Sequence, residues 1–419
     1  TEQYVAELGL VAARELGVTK VLVGRDTRES GKQLETALAN GLLAGGVTVE
    51  LLGVAPTPAI AFLAAKRGCA SAAITASHNP YLDNGVKLFA NGGVKLSDAQ
   101  QDAIESHMTG SATVPAASAL QVDLLGEYAS HIVGLFPVLA FANIRVVLDC
   151  ANGAMSDVAP EVFARLGATV IVLNDRPNGK NINEGCGATH PEVVSEAVRL
   201  HKADLGLAFD GDGDRVIAVD HIGDVVDGDH LIALAAIDLH KRGKLKSNSV
   251  AVTVMTNAGF HQAMTKAGIN VITTPVGDRN ILVAFDEHGV VLGGEQSGHI
   301  IYRDYATTGD GLLAGAMLVD LVRREAKPLA TLARNAMTSL PQTLINIRVA
   351  QVVNSPAEDL AAEITDATKR LDGIGRVLLR ASGTEPVVRV MVEAASQETA
   401  DAVAQGLAEV VSQRFGGVR

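Results

Sequence analysis

Three aspartates alternate with glycines in the stretch FDGDGDRVIAVD, which runs from Phe209 to Asp220. In an extended loop the carboxylates of Asp210, Asp212 and Asp214 can all point to one side, because alternate residues of an extended chain share a face. The glycines between them let the backbone turn tightly without a Cβ clash. Hard oxygen ligands at this density suit Mg²⁺. The stretch therefore predicts a magnesium site.

Two other structures could contain the same residues. An EF-hand calcium loop is excluded, because its twelfth position needs a bidentate glutamate and position 221 is a histidine. The second is an Asx-rich hairpin turn between strands at 205–209 and 216–219. The carboxylates would repel one another in such a turn unless a cation lay among them, so the metal site is favoured.

A candidate nucleophile lies in TASHNPYLDNGVKLF, from Thr75 to Phe89, where Ser77 is followed by His78. Serine, asparagine, proline, aspartate and glycine are also the residues that turns use, each for its own backbone reason. The stretch alone leaves two interpretations open: a reactive serine, or a hydroxyl that only closes a turn.

A second polar loop, GGEQSGHI, follows the apolar run GVVL and spans Gly293 to Ile300. Glu295 and Ser297 offer paired hydrogen bonds to adjacent hydroxyl groups, and His299 can carry a proton. The alternative is a polar turn after an edge strand.

The tail contains a loop, RASGTEPVVR, with the chemistry of a phosphate cradle. Hydroxyls, backbone N–H groups and guanidinium forks are the groups that bind a phosphate monoester. The residues that supply them are Arg380, Ser382, Gly383, Thr384 and Arg389.

Composition limits the partners of the chain. Its 419 residues exceed what one hydrophobic core usually serves, which indicates about three or four domains. The net charge of −12, the absence of tryptophan and an aromatic content of 3% argue against a nucleic-acid or anionic-membrane partner. An anionic substrate must therefore meet a local basic pocket.

Cysteine use and hydropathy predict a cytoplasmic protein. Cys69, Cys150 and Cys186 lie far apart without a C-x-x-C pair, which suits a reducing compartment and gives no zinc signature. We interpret them as buried small hydrophobic residues. The longest apolar stretches, such as Leu231–Ile237, are too short to span a bilayer.

The elements that must position these loops follow one repeated pattern. An apolar strand, a helix ending in glycine and a second apolar strand occur at Lys20–Gly53, Ile144–Asn174 and Ser249–Asp278. Such units predict mostly parallel, covered sheets, with ligands at the carboxyl ends of the strands. The tail differs, because Gly375–Ala394 predicts two strands joined by a turn and a helix follows from Gln397.

We therefore expect an α/β protein with three similar α/β domains and a smaller C-terminal α+β domain around a central cleft. The predicted domains are 1–125, 126–227, 228–340 and 341–419. They carry, in order, the serine, the aspartates, the GGEQSGHI loop and the tail loop.

Together the motifs closely resemble those of the α-D-phosphohexomutase family. TASHNP with DNGVK, DGDGDR, VGDR, GEQSGH and R-x-SGTEP occur here in family order and span essentially the whole chain. GEQSGH points to the branch that acts on glucosamine phosphates, since relatives acting on mannose and glucose phosphates tend to have GEMSGH. The family's opening G-T-D-G-x-R-G segment is not in the sequence, so we expect that a leading segment is missing.

The resemblance implies a role for each matching residue. Ser77 matches the serine that carries the phosphoryl group, and its oxygen or phosphate would complete the Mg²⁺ site of Asp210, Asp212 and Asp214. The matching catalytic positions, including the proton-handling ones, are Lys87, His299, His78 and Arg215. The matching substrate contacts are Glu295, Ser297 and the Gly277, Asp278 and Arg279 of VGDR. The tail loop from Arg380 to Arg389 matches the distal phosphate site.

The implied activity is a mutase that interconverts glucosamine 6-phosphate and glucosamine 1-phosphate through a phosphoserine and a 1,6-bisphosphate, feeding UDP-N-acetylglucosamine and cell-wall precursor synthesis. The expected partner is a phosphosugar, and a homodimer is possible as well. A mutase of glucose or mannose phosphates also stays open, as does a metal-dependent phosphatase that loses its phosphoserine to water. A non-catalytic sugar-phosphate sensor is disfavoured by the intact Ser77, Lys87 and aspartates.

Overall fold

The computed structural model describes residues 1–110, 113–382 and 385–417, which form four β-sheets. These residues make two compact units. The larger unit comprises Thr1–Met255 and Ala267–Ala336, and the smaller one comprises Thr256–Lys266 and the chain from Met337 onward. Among the described helices, none is long and apolar enough to cross a membrane.

The first sheet has six strands: β1 (Lys20–Arg25), β2 (Thr48–Val54), β3 (Ala70–Ile74), β4 (Val86–Ala90), β5 (Val94–Lys95) and β6 (Leu120–Gln121). Its helices are α1 (Glu2–Glu15), α2 (Gly31–Ala44), α3 (Thr57–Arg67) and α4 (Asp98–Ser106). The strand order is β5-β4-β3-β1-β2-β6. β1 pairs in parallel with β2 and β3, whereas β4 pairs antiparallel with β3.

The second sheet contains β7 (Arg145–Asp149), β8 (Thr169–Leu173), β9 (Leu205–Phe209), β10 (Val216–Asp220) and β11 (Val225–Val226). Its helices are α5 (Leu125–Gly134), α6 (Val158–Arg165) and α7 (Pro191–His201), with a short 3₁₀ turn at Gly187–Thr189. The order is β11-β10-β9-β7-β8. β7 is parallel to both β8 and β9, and β10 turns back antiparallel to β9.

The third sheet contains β12 (Ser249–Thr253), β13 (Asn270–Thr274), β14 (Leu292–Gly294) and β15 (Ile300–Tyr302). The helices in this stretch of sequence are α8 (Gly228–Lys241), α9 (Ala258–Ala267), α10 (Asp278–His288), α11 (Gly311–Glu325) and α12 (Leu329–Ala336), with a 3₁₀ turn at Lys246–Asn248. Of these helices, α9 belongs to the smaller unit up to Lys266. The order is β13-β12-β14-β15, with only the last pair antiparallel.

The fourth sheet lies in the smaller unit and is entirely antiparallel, in the order β16-β18-β17. Its strands are β16 (Gln342–Arg348), β17 (Gly375–Ala381) and β18 (Val387–Ala394). The helices are α13 (Pro356–Asp359), α14 (Ala361–Lys369) and α15 (Gln397–Phe415). The inward faces of the sheet and of α15 share one apolar cluster, which includes Val390, Val392 and Leu407.

The expected fold class is confirmed. Each of the three repeated units forms strand, helix and parallel strand, and the tail forms the expected antiparallel pair followed by a helix. Gly46, Gly167 and Gly268 adopt the positive φ that ends a helix without a Cβ penalty. All three cysteines are buried and unpaired, as expected.

Two central strands position the loops that carry the chemistry. All five residues of β3 and all five of β9 are buried, and each strand lies between two neighbours of its sheet. The serine loop follows the carboxyl end of β3, and the aspartate loop follows the carboxyl end of β9. Because a central strand is held on both sides and both faces, the first residues of these loops start from rigid backbone.

Helices α1 and α2 pack closely through two glycines. A Cβ on Gly41 would lie 1.9 Å from the carbonyl oxygen of Ala6, and a Cβ on Gly9 would lie 2.4 Å from that of Leu38. Both glycines are within helices. Contact with backbone rather than with a flexible side chain means that the helices would have to separate to admit a methyl group.

We therefore predict that Gly41→Ala destabilises the larger unit by about 1–3 kcal/mol, the usual cost of overpacking. Alanine raises helix propensity by up to about 1 kcal/mol, so any net loss comes from the clash. The matched control is Gly126→Ala in α5, where a Cβ meets nothing within 4 Å. Calorimetry should show a lower thermal midpoint for Gly41→Ala and an unchanged or higher one for Gly126→Ala. Equal midpoints would contradict the packing account.

Candidate active site

The aspartate loop forms a buried cluster of carboxylates at the turn between β9 and β10. Ligand oxygens of Asp210, Asp212 and Asp214 all lie within 4.8 Å of one another. The three residues are between 1% and 5% exposed. The hairpin turn that was the alternative interpretation is therefore present, and it also carries the predicted carboxylate cluster.

The positively charged side chain of Lys87 lies among these carboxylates and offsets their repulsion. Nζ of Lys87 donates to Oδ2 of Asp212 at 2.7 Å and to Oδ2 of Asp214 at 2.9 Å. The guanidinium Nε of Arg215 lies 3.8 Å from Oδ1 of Asp214, and its backbone N–H donates to Asp210 at 3.1 Å. Lys87 comes from β4, so a residue of the first sheet offsets the charge of a loop of the second.

The charges in the cluster shift its pKa values in opposite directions. Burial and the neighbouring carboxylates of Asp214 and Asp212 raise the pKa of Asp210. Burial also opposes ionisation of Asp214, but Lys87 and His299 outweigh it and lower that pKa. For Lys87, burial disfavours the ammonium form, yet Asp212 and Asp214 outweigh it and raise its pKa. Asp214 is therefore ionised and Lys87 is protonated at neutral pH.

Two oxygens of the cluster fit a metal ion. Oδ1 of Asp212 and Oδ1 of Asp214 are buried and make no hydrogen bond among the described residues. For Oδ1 of Asp214, the nearby charged groups include Nδ1 of His299 at 3.6 Å and Nε of Arg215 at 3.8 Å. A buried carboxylate oxygen without a hydrogen bond is costly, and a hard cation would satisfy it. The other oxygen of Asp212 is fixed by Thr57, whose hydroxyl donates to it at 2.6 Å. The cluster could therefore hold a metal ion with its ligands already oriented.

Ser77 faces this cluster from the loop after β3. Its hydroxyl donates to Oδ2 of Asp210 at 2.6 Å, and its backbone N–H donates to the hydroxyl of Thr75 at 2.8 Å. Nδ1 of His78 lies 3.4 Å from the same hydroxyl, and burial, followed by the charge of Arg215, lowers the pKa of His78. The serine that the sequence left undecided thus lies beside the carboxylates.

His299 joins the same group from the turn between β14 and β15. Its Nδ1 lies 3.6 Å from Oδ1 of Asp214, and its Nε2 lies 3.2 Å from Oδ2 of Asp278. The backbone N–H of Gly309 also points at Nε2, at 3.1 Å, which requires that nitrogen without a proton. Burial opposes the charged ring, but Asp214 and Asp278 outweigh it and raise the pKa of His299 to about 9. The ring is therefore protonated at neutral pH, and only its neutral form accepts the hydrogen bond from Gly309.

The edge-strand alternative for GGEQSGHI is wrong, because β14 lies between β12 and β15. The loop is a tight turn in which Oε1 of Glu295 accepts the backbone N–H of Gly277 at 3.1 Å. Ser297 is exposed at the tip of the turn. The position of these two side chains is compatible with the predicted sugar contacts, which stay a prediction.

The VGDR residues are engaged by protein partners. Gly277 has a φ of 116° and immediately precedes α10. Asp278 forms ion pairs with Lys95 and His299, and its pKa lies well below the ordinary value despite its burial. Arg279 forms an ion pair with Asp98 in α4. The contacts of Asp278 therefore orient His299, and direct substrate contacts of Asp278 and Arg279 stay a prediction.

The tail loop belongs to the smaller unit. Arg380 of β17 and Arg389 of β18 are directly opposite each other in the strand register, and Nε of Arg389 is buried without a hydrogen-bond partner among the described residues. Ser382 is buried, and its N–H donates to the carbonyl of Val387 at 2.8 Å. Gly383 and Thr384 lie outside the described residues. Two arginines lie opposite each other at one end of the strand pair, and their role as the basic pocket for an anion stays a prediction.

The sequence analysis missed several residues whose side chains hydrogen-bond to the aspartate loop, to the serine loop or to each other. Thr57 orients Asp212, while Asp26, Arg28 and Asn183 contact the serine loop or each other. The sequence does contain a signal for Asp26 and Arg28, because the charged run GRDTR lies at the carboxyl end of the first strand of a predicted βαβ unit. Thr57 is the first residue of α3 and Asn183 lies in a polar loop, and neither position has a distinguishing sequence pattern.

Four family models match the chain in succession, all described as phosphoglucomutase/phosphomannomutase. They are alpha/beta/alpha domain I over residues 1–114, domain II over 126–223, domain III over 227–340 and the C-terminal domain over 344–410. The chain is also 49% identical over 406 residues to a phosphoglucosamine mutase of Frankia casuarinae, covering 94% of this chain and 88% of that one.

Two solved structures have a similar fold. One is a phosphoglucomutase/phosphomannomutase family protein of Burkholderia thailandensis, with a TM-score of 0.82, 26% identity, and coverage of 99% of this chain and 94% of that chain. The other is an N-acetylphosphoglucosamine mutase of Aspergillus fumigatus in complex with GlcNAc-6P and magnesium, with a TM-score of 0.64, 19% identity, and coverage of 86% and 92%.

The geometry around His299 predicts its titration. In metal-free buffer, NMR should give its ring a pKa of about 9. Since this exceeds the ordinary value of 6.5, the protonated ring stabilises the fold below pH 6.5, and that contribution is lost as the pH rises through about 9. Asp278→Asn should lower the pKa of His299, because it removes one of two neighbouring carboxylates. The exposed control Asp366→Asn should not. A wild-type pKa at or below 6.5 would refute this arrangement.

Proposed function

The chain belongs to the phosphoglucomutase/phosphomannomutase family, and we propose that it is a phosphoglucosamine mutase, which interconverts glucosamine 6-phosphate and glucosamine 1-phosphate. One observation carries the proposal: the hydroxyl of Ser77 lies 2.6 Å from a carboxylate of a buried aspartate cluster. A serine beside charged groups that can stabilise a phosphoryl group is the arrangement that phosphoryl transfer needs. The relatives named phosphoglucosamine mutase, at 49% identity and below, support the choice of sugar.

The proposed reaction has two transfers through Ser77. In the first, O1 of glucosamine 6-phosphate attacks the phosphorus of phosphoserine, the new O1–P bond forms and the Oγ–P bond breaks. The product is glucosamine 1,6-bisphosphate. In the second, Oγ of Ser77 attacks the 6-phosphate, so the O6–P bond breaks, and glucosamine 1-phosphate leaves. The proton lost from each attacking hydroxyl is gained by the oxygen that leaves, and the phosphoserine is restored.

We propose that Asp210, Asp212 and Asp214 hold Mg²⁺, with Ser77 or its phosphate as a further ligand. The ion would neutralise charge on the transferring phosphoryl oxygens. The buried Oδ1 oxygens of Asp212 and Asp214, which make no hydrogen bond among the described residues, support this assignment. Carboxylates of this density suit Mg²⁺ because it prefers hard oxygen ligands.

The basic residues around Ser77 have distinct proposed roles. Lys87 is held as an ammonium by two carboxylates, so it acts as a fixed positive charge or as a proton donor rather than as a resting base. His299 is likewise held protonated between Asp214 and Asp278, which suits donation to a leaving oxygen. Arg215 adds positive charge beside Asp214, and His78 lies next to the serine hydroxyl.

The remaining assignments concern the sugar and its second phosphate. Glu295 and Ser297 are proposed to bind sugar hydroxyls, and the N–H of Gly277 orients Glu295. The tail loop, Arg380 to Arg389, is proposed to bind the phosphate that is not being transferred. The corresponding domains are proposed as 1–125, 126–227, 228–340 and 341–419.

The test of the proposed function compares initial rates on glucosamine, glucose and mannose 6-phosphates, each primed with its 1,6-bisphosphate. We expect the highest kcat/KM on glucosamine 6-phosphate. Ser77→Ala should lose more than about 99% of turnover with its fold intact, because the covalent carrier is gone. The matched control, Ser106→Ala on the surface of α4, should keep it. A preference for glucose or mannose phosphates would overturn the choice of sugar, and net release of inorganic phosphate would indicate a phosphatase.

A separate prediction concerns the smaller unit. Arg389→Ala removes a charge-assisted phosphate contact that the proposal places in both the substrate and the bisphosphate complexes. We expect a higher KM for glucosamine 6-phosphate, a lower kcat and more glucosamine 1,6-bisphosphate released into solution during turnover. Arg348→Ala, on an exposed position of β16 in the same sheet, is the control. Unchanged KM and unchanged release for Arg389→Ala would exclude the tail loop as a phosphate site.

A further inference from the structure

We propose that Arg28 and Asn183 are the positioning residues of Ser77: together they hold the carbonyl groups of its turn, so that the serine hydroxyl stays on Asp210. The proposal rests on the function of Ser77 proposed above. Neither residue touches the hydroxyl itself. Both act through the backbone of the serine loop, which makes them positioning residues rather than catalytic ones.

The serine turn needs such support because its backbone is unfavourable. Ser77 has a φ of 52°, in the left-handed region that residues with a Cβ rarely adopt. Glycine would relieve this strain but cannot supply a hydroxyl. A strained residue persists only where its surroundings fix it, and such residues cluster at functional sites.

Arg28 supplies the first set of contacts. Its side chain is completely buried, and its Nε pairs with Oδ2 of Asp26 at 2.9 Å. The rest of its guanidinium donates to the carbonyl oxygens of Ser77 at 3.0 Å and Asn79 at 2.8 Å, and to that of Pro80. One planar group therefore binds three carbonyls of the same turn. A lysine could not, because its ammonium lacks the fixed fork of donors.

Asn183 supplies the second set from another part of the chain. Its Nδ2 donates to the carbonyl of Ser77 at 2.9 Å and to that of Asn79 at 3.1 Å, the same two oxygens that Arg28 binds. Its own backbone N–H donates to Ala151 at 2.9 Å, in the loop after β7. The serine turn of the first sheet is thereby tied to the second sheet, which carries the aspartates.

The aspartate loop also lies against the carbonyl of Ser77. A Cβ on Gly211, between Asp210 and Asp212, would lie 2.7 Å from the carbonyl oxygen of Ser77 and 2.8 Å from Nδ2 of Asn183. The glycine thus lets the aspartate loop, the serine carbonyl and Asn183 meet without an intervening side chain. The carbonyl of Ser77 is therefore confined on three sides, by Arg28, Asn183 and Gly211.

The charge of Arg28 does not itself explain this arrangement. Its only ion-pair partner among the described residues is Asp26, which offsets the positive charge within the same buried group. The effect of Arg28 on Ser77 is therefore geometric. Misplacement of a reacting group by about 1 Å can cost about 100-fold in rate, whereas substrate binding elsewhere is unaffected.

The test measures phosphorylation of Ser77 by glucosamine 1,6-bisphosphate in the full chain, followed by intact mass and by phosphopeptide mapping. We expect Arg28→Lys and Asn183→Ala to slow this step by about 100-fold, with KM for glucosamine 6-phosphate within about twofold of wild type. The control Arg165→Lys, in an exposed pair with Glu161, should behave as wild type. A purely structural role would instead lower the thermal midpoint without separating kcat from KM.

The outcomes separate this inference from the proposed function. If wild-type Ser77 gains no phosphate, the proposed function fails. If wild-type Ser77 is phosphorylated and both folded variants react at the wild-type rate, the positioning role is refuted and the proposed function stands. If Arg28→Lys does not fold, Asn183→Ala decides alone, because it leaves the buried pair of Arg28 and Asp26 intact. A wild-type rate in that variant overturns the role.

Discussion

The structure around the site depends on the repulsion among three buried carboxylates. Asp210, Asp212 and Asp214 have ligand oxygens within 4.8 Å of one another in an interior that disfavours charge. Such a cluster is stable only if positive charge or hydrogen-bond donors surround it. Lys87 supplies the nearest charge, at 2.7 and 2.9 Å, and it comes from a different sheet of the larger unit. The need to balance these carboxylates thus draws the serine loop and β4 onto the loop after β9.

The same constraint prepares the neighbouring groups for phosphoryl transfer. Asp212 and Asp214 keep Lys87 charged, and Asp214 together with Asp278 keeps His299 charged. Asp210 accepts a hydrogen bond from the hydroxyl of Ser77. A phosphoryl group brings negative charge of its own, so positive groups must already be in place when it arrives. Preorganisation of this kind explains why the side chains of the aspartates, Ser77 and His299 are buried and contact one another.

Much of this could be predicted from the sequence. Continuous apolar strands alternating with glycine-ended helices indicated the α/β class, and the alternation of Asp210, Asp212 and Asp214 predicted one carboxylate cluster. Contacts between distant segments could not be predicted, because they depend on how sheets meet. The proximity of Lys87 to Asp212, 125 residues apart, is one example, and Arg28 beneath Ser77 is another. Asp278 was predicted to bind substrate from its motif alone, and its contacts with His299 became visible only in three dimensions.

The central claim is that Ser77 carries a phosphoryl group from one sugar oxygen to another without losing it to water. The most direct measurement is a single turnover in which enzyme carrying ³²P on Ser77 is mixed with unlabelled glucosamine 6-phosphate and Mg²⁺. The account predicts that the label appears in glucosamine 1,6-bisphosphate and glucosamine 1-phosphate, with Ser77 phosphorylated again at the end by the unlabelled 6-phosphate. Label recovered as inorganic phosphate, or label that stays on the protein while substrate is converted, would contradict it.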